Sequence, residues 1–92
     1  MNDFQEQQYI GRAEILKALG HPIRLAMAEL LMDQGSVNVT RIYTTLNLPQ
    51  STVSLHLTRL RQGGVVKGTR HGLEVYYELG DERVRTILQA LR

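Results

Sequence analysis

The sequence predicts a mostly helical fold with one small β-hairpin, its elements in the order α-α-α-α-β-β-α. Three observations predict it. Apolar residues recur at helical spacing in three segments separated by glycine and proline. The run Leu46-Asn-Leu-Pro-Gln-Ser-Thr-Val-Ser-Leu-His-Leu-Thr-Arg-Leu-Arg-Gln-Gly-Gly64 has the spacing of a helix, a tight turn and a second helix. Two short strand-like segments then follow Gly63-Gly64, before a last amphipathic stretch.

Residues 4–19 carry Tyr9, Ala13, Leu16, Ala18 and Leu19 at helical spacing, and Ile10 and Ile15 widen the stripe. Gly20 ends this helix. His21-Pro22 opens the next, because proline is best tolerated in a first helical turn. Residues 23–32 supply Leu25, Ala26, Ala28, Leu30 and Leu31, an apolar set broad enough for the centre of a core, and Gln34-Gly35 closes it. Asn38 is an N-cap candidate for a third helix through Leu46. Arg41 stands where a capping box would place Glu or Gln, and a cation in a first turn opposes the helix dipole. A phosphate partner for Arg41 would offset that cost, although a freely solvated Arg is equally permitted. Asn47 suits the left-handed residue that reverses the chain, and Pro49 begins the fourth helix.

On a wheel at about 100° per residue, Val53, Leu57 and Leu60 form the buried seam of the fourth helix. Ser51, Ser54, Leu55 and Thr58 lie opposite, with Arg59 at the edge. Small hydroxyl side chains let a helix lie deep in a major groove and exchange hydrogen bonds with base edges. A helix facing water alone more often carries Glu, Lys and Gln. Leu55 is the anomaly on that face: it either touches thymine methyls, the reading preferred here, or rolls inward and packs. Gly63-Gly64 ends the helix. Residues 65–70 and 73–79 are strand candidates joined by Arg70-His71-Gly72, with Val75, Tyr77 and Leu79 on one face and Glu74, Tyr76 and Glu78 on the other. Asp81 caps a last helix bearing Val84, Ile87, Leu88 and Leu91. The whole of 1–92 reads as one winged helix-turn-helix domain, with no repeat, low-complexity tract or linker.

Charge supplies the functional argument. No Asp or Glu occurs in residues 34–73, where Arg41, Arg59, Arg61, Lys67 and Arg70 stand. The remaining six basic and nine acidic residues leave the rest of the chain net negative. This asymmetry, and not the small net charge of +2, points to a polyanion partner. The expected contact set to double-stranded DNA is Thr40, Arg41, Gln50, Ser51, Thr52, Ser54, Leu55, Thr58, Arg59 and Arg61, with Lys67, Arg70 and His71 from the hairpin.

Ninety-two residues bury a limited core, so a second copy is expected to help. The absence of cysteine excludes disulfides, a thiolate metal site and a thiol redox switch. No apolar run reaches the ~18–20 residues of a membrane span, and the first residues lack the charge and apolar pattern of a secretory signal. The cytoplasm is therefore the expected location, with no membrane partner.

Leu19-Gly-His-Pro-Ile-Arg-Leu25, Leu48-Pro-Gln-Ser-Thr-Val-Ser-Leu-His-Leu57, Leu60-Arg-Gln-Gly-Gly-Val-Val66 and Tyr76-Tyr77, in this order and spacing, resemble the ArsR/SmtB family of bacterial transcriptional regulators. The resemblance covers residues 13–91. Asn38-Val-Thr and Leu48-Pro-Gln-Ser-Thr-Val-Ser are similar to the subgroup of the protective-antigen-gene repressor of bacilli. The resemblance implies a homodimer that joins through its first and last helices, here through Tyr9, Ile10, Ala13, Leu16, Val84, Ile87, Leu88 and Leu91. It also implies transcriptional repression at a pseudo-palindromic site with half-sites one helical turn apart. Family members that sense metals use cysteines near the third helix, or Asp and His ligands on the last. The first set has no counterpart here. Asp81 matches one ligand of the second set, but Arg83 occupies the place of its His partner and no later His pair follows up to Arg92. No metal and no cofactor are expected, and Leu55 stands where the resemblance implies Gln, Arg or His in the reading helix.

The three histidines share no metal-ligand spacing. His56 reads as a structural residue filling the joint between the reading helix and the domain; His71 is either a phosphate contact or a plain turn residue. Ser51 and Ser54 lack a base and acid partner, and Glu74 and Glu78 are spaced as strand surface residues, so no enzyme is expected. The competing class is a winged-helix protein-interaction module that does not itself bind DNA.

Overall fold

A computed structural model of the chain describes residues 3–92. Among them lie five helices and three strands: α1 (Gln7–Leu19), α2 (Pro22–Gln34), β1 (Val37–Asn38), α3 (Val39–Leu46), α4 (Gln50–Gln62), β2 (Val66–His71), β3 (Glu74–Leu79) and α5 (Glu82–Leu91). The helices are packed around α2, which buries Met27, Ala28, Leu30, Leu31 and Met32. Against it sit Ile42 of α3, Val53 and Leu60 of α4, Val65, and Val84 and Leu88 of α5, all fully buried. None of the described helices is long and apolar enough to cross a membrane.

Local chemistry sets the helix ends. The His21 Nδ1 accepts from the Ile23 amide at 3.1 Å, capping α2 just ahead of Pro22. Asn38 Oδ1 accepts from the Arg41 amide at 2.8 Å and caps α3. Asn47 takes the left-handed conformation (φ 53°, ψ 49°) that ends α3. Asp81 Oδ1 accepts from the Arg83 amide at 2.8 Å and caps α5. The first helix begins at Gln7 and not at Phe4, and Glu6 makes no side-chain cap there. The residue at the cap position is Glu6, not one of the Ser, Thr, Asp or Asn that cap a first turn best.

The expected hairpin is present, with a third strand beside it. β1 pairs antiparallel with β3 (Val37↔Tyr77, Asn38↔Tyr76), giving the order β1-β3-β2. The turn is displaced by one residue: β2 runs to His71, which pairs with Glu74, and Gly72-Leu73 forms a two-residue loop. Gly72 has φ +66° and Leu73 does not share a positive φ, the pattern of a type II′ hairpin.

Two expected pairing residues are corrected by the packing. Val84 and Leu88 are fully buried in the core of a single copy and offer no surface to a partner. On α1 the inward face is Ile15, Ala18 and Leu19; Tyr9, Ile10, Ala13 and Leu16 face outward. Residues 7–14 are exposed throughout, so the first two turns of α1 project from the fold.

Candidate nucleic-acid interface

The link of Asn47, Leu48 and Pro49 turns α3 onto α4. The Leu48 amide donates to the Tyr43 carbonyl, and Leu46 and Leu48 pack on the core. Val53, Leu57 and Leu60 are the buried seam of α4, as the wheel predicts. The opposite face therefore lies in solvent: Ser51, Ser54, Leu55, Thr58, Arg59 and Arg61 are all exposed. Leu55 does not roll inward; it is 55% exposed. Gln50, Ser51 and Thr52 form a first turn with no acidic residue and no side-chain cap from Pro49. Free N–H groups and the positive end of the helix dipole make such a terminus suited to a phosphate.

Ser54, Thr58 and Arg61 share one groove with Thr40 of α3 and with Leu73, Glu74 and Val75 of the hairpin. Arg59 lies on the other edge of α4, in a cleft with Lys17 and Arg24. Thr58 Oγ1 donates to the Ser54 carbonyl at 3.1 Å, so its hydroxyl meets a ligand as an acceptor and a methyl group. Arg41 is exposed, with Nε held by Gln34 Oε1 at 3.1 Å, leaving its terminal nitrogens available. On the hairpin, Arg70 and His71 are exposed near the tip, and the His71 ring meets Tyr76 edge-on at 5.3 Å. Lys67 faces its cross-strand neighbour Glu78 in a 3.4 Å ion pair, both side chains exposed. Among the described residues Arg41, Arg59, Arg61 and Arg70 form no ion pair.

Two residues of this surface escaped the sequence reading. Leu73 at the hairpin tip is 98% exposed. Glu74 brings a carboxylate into the groove beside Thr58 and Arg61, although it lies just outside the acid-free run. Its two oxygens are engaged: Asn38 Nδ2 donates to Oε1 at 3.4 Å and the Tyr76 hydroxyl to Oε2 at 3.0 Å. That hydrogen bond and the nearby negative charge raise the Tyr76 phenol above its ordinary value. Only the strand pairing of Asn38 with Tyr76 could have exposed this link, and a two-residue strand gives no periodicity to find it by.

Asp81, the one match to a metal ligand, is committed elsewhere. Its carboxylate accepts from the Arg83 amide and from Arg83 Nε and Nη2 at 2.8–3.1 Å, which holds its carboxyl down at about 2. Among the described residues no three His, Cys, Asp or Glu side chains gather around one point.

The family model described as bacterial regulatory protein, arsR family, matches residues 21–67, the span from the start of α2 into β2. The transcriptional repressor PagR of Bacillus anthracis is 46% identical over 79 residues, which are 86% of this chain and 79% of that protein. The crystal structure of PagR superposes with a TM-score of 0.89 at 40% identity, covering 96% of this chain and all of that one. A solution structure from Mycobacterium bovis, described as a homodimeric winged helix-turn-helix DNA-binding domain, superposes with a TM-score of 0.85 at 30% identity, covering 99% of this chain and 83% of that one.

Proposed function

The chain belongs to the arsR family of bacterial regulatory proteins, and from that premise we propose that it is a homodimeric repressor that binds a pseudo-palindromic operator in double-stranded DNA. The observation that carries this reading is the division of α4. One side is locked into the core by Val53, Leu57 and Leu60, while Ser51, Ser54, Leu55 and Thr58 stand outward on a rigid helix. Rigidity matters because base edges are read by side chains held in fixed positions. Thr40, Gln50, Thr52, Arg41, Arg59, Arg61, Arg70 and His71 surround that face and meet the backbone. Lys67 joins them by exchanging Glu78 for a phosphate, since an exposed ion pair contributes at most about 1 kcal/mol.

The second copy covers the outward face of α1. Tyr9, Ile10, Ala13 and Leu16 are exposed there, with Leu91 of α5 exposed and Ile87 half-buried. Arg12 lies over the Tyr9 ring at 5.1 Å, and Leu16 and Ile87 line one apolar cleft. A dyad through this face carries two α4 helices, so half-sites spaced about 34 Å apart are expected. The metal-sensing chemistry of some family members has no place in this reading: Asp81 serves as cap and ion-pair partner to Arg83.

The test is a mobility shift of the purified protein on DNA from upstream of its own gene, at two salt concentrations. Binding that weakens steeply with salt is the expected result. A protein that shifts no DNA at low salt would be the protein-interaction module instead.

A further inference from the structure

His56 and His21 lie 35 positions apart in sequence, yet their rings meet at 4.5 Å between centroids with a 40° tilt. His56 stands on the core side of α4, next to the exposed Leu55, and is only 9% exposed. His21 is the N-cap of α2, the central helix. Arg24 of α2 and Arg59 of α4 also act on this pair, and the cleft beside them is lined by Lys17 and Glu14 of α1. Glu14 is the one carboxylate in that lining, and among the described residues it forms no ion pair. The cluster also holds the two buried side-chain atoms that lack a hydrogen-bond partner among the described residues, His56 Nδ1 and Arg24 Nε.

We infer that His21 and His56 are positioning residues for DNA recognition: their contacting rings seat the reading helix on α2 only while His56 is neutral, so that acidification releases DNA. A positive charge on His56 would enter a buried joint that already feels the Arg24 and Arg59 guanidinium groups and, among the described residues, has no carboxylate paired to it. Burial first, then His21, Arg24 and Arg59, push the His56 imidazole below its ordinary value. The sign follows. The unfolded chain takes up the proton near 6.5 and the folded joint only at lower pH, so the seat is fully stable above 6.5 and weakens as pH falls below it. What weakens is the contact between α2 and α4, the one that aims Ser51, Ser54, Leu55 and Thr58. His71, exposed near the hairpin tip, lies outside this joint.

The inference rests on the DNA-binding reading above, and one experiment separates the two. A duplex is first selected from a randomised pool by the wild-type protein at about pH 7.5. Its affinity is then measured at about pH 7.5 and about pH 5.5 at fixed ionic strength, a span that brackets the ordinary histidine range. Wild type is expected to lose about tenfold or more, each copy's single proton allowing at most about tenfold per pH unit. His56→Phe keeps a ring against His21 and cannot titrate; its affinity is expected to change by less than about threefold, under half a pH unit's worth. His21→Asn keeps a cap for the Ile23 amide but removes the ring, so the loss of DNA moves to higher pH.

Binding that is equal or tighter in acid overturns the inference, as does a wild-type ratio retained by His56→Phe. If His56→Phe fails to fold, an unmoved midpoint in His21→Asn overturns it instead. Acid unfolding that wild type and His56→Phe share, seen by circular dichroism, also counts against it. Selection of no duplex at about pH 7.5 removes the DNA-binding reading and this inference together, whereas tight but pH-indifferent binding removes this inference alone.

Discussion

Replacing Arg61 with alanine separates a phosphate clamp from a solvated surface charge. The side chain is exposed in the last turn of α4, lines the groove with Ser54 and Thr58, and forms no ion pair among the described residues. Its loss removes a favourable charge–dipole contact at the helix end, a few tenths of a kcal/mol, so the fold is retained. The consequence lies in the salt dependence of DNA binding. Each phosphate neutralised contributes about 0.9 to the slope of log affinity against log salt. Arg41, Arg59, Arg61 and Arg70 in two copies make eight unpaired cations, which predicts a slope near −7. Arg61→Ala removes one from each copy and flattens the slope by about 2. Over a fourfold rise in salt the variant should therefore lose roughly tenfold less affinity than wild type. The assay is a fluorescence-anisotropy titration at four salt concentrations, on both the operator and a scrambled duplex. Both duplexes should show the same change, because a phosphate clamp is blind to sequence. An unchanged slope, or a change confined to the operator, would refute the assignment.

Four further outcomes follow from the same structure. Glu78→Gln releases Lys67 from its 3.4 Å pair and should tighten DNA binding while steepening the slope by up to about 2, read in the same titration. Leu16→Asp, on a side chain 58% exposed, should give a folded monomer by sedimentation and circular dichroism, whereas Leu60→Ala, fully buried, should cost about 2–5 kcal/mol in urea unfolding. Asp81, held at about 2 against an ordinary 3.8, contributes stability that is full above 3.8 and is lost as pH falls through about 2. In Asp81→Asn the urea midpoint should accordingly be lower at neutral pH and fall less between about pH 4 and about pH 2; the same acid decline in both proteins would refute the role of this carboxyl.

How far the fold could be read depended on whether a pattern was local. The seam of α4 was legible because Val53, Leu57 and Leu60 stand on a helix whose other face carries small polar groups. The caps at Asn38 and Asp81 and the reversal at Asn47 were legible because each depends on one side chain and its next few neighbours. α1 was harder, since it carries two apolar faces. Periodicity announces apolar residues but does not say which stripe meets its own core and which is left outside. The structure buries Ile15, Ala18 and Leu19 and leaves Tyr9 and Leu16 out. For α5 the same ambiguity placed Val84 and Leu88 on the pairing face, when they complete the core of one copy. Of the candidate DNA surface, the cations were visible in the sequence but their neighbours were not. The pairing of Lys67 with Glu78 and the entry of Glu74 into the groove both follow from strand register. The meeting of His21 with His56 depends on how α4 crosses α2, which no spacing within either helix encodes.

The two faces of α1 also join assembly to recognition. Its inward side meets the end of α4 at Gly63 with only the Ala18 methyl and the Glu14 carbonyl facing it. A Cβ at Gly63 would fall 2.6 Å from the Ala18 Cβ and 3.0 Å from the Glu14 carbonyl oxygen. Side chains normally cushion helix contacts at interaxial distances of about 8–10 Å; here a single methyl and a carbonyl face Gly63, and little can yield. On the proposed dimer, the outward side of the same helix carries Tyr9 and Leu16 to the partner. On that proposal one helix connects the dyad to each reading head, so the distance between the two α4 helices would be set by α1 and not by the hairpin. Gly63→Ala must force α4 away from α1. Because the contact lies at the C-terminal end of α4, the helix would pivot about its fixed seam, displacing both reading faces relative to the dyad. The physical signature of that coupling is a change in the preferred spacing between half-sites, with the base preference within each half-site unchanged. A loss of affinity that is uniform over all spacings would instead mean that the contact serves the stability of the fold alone.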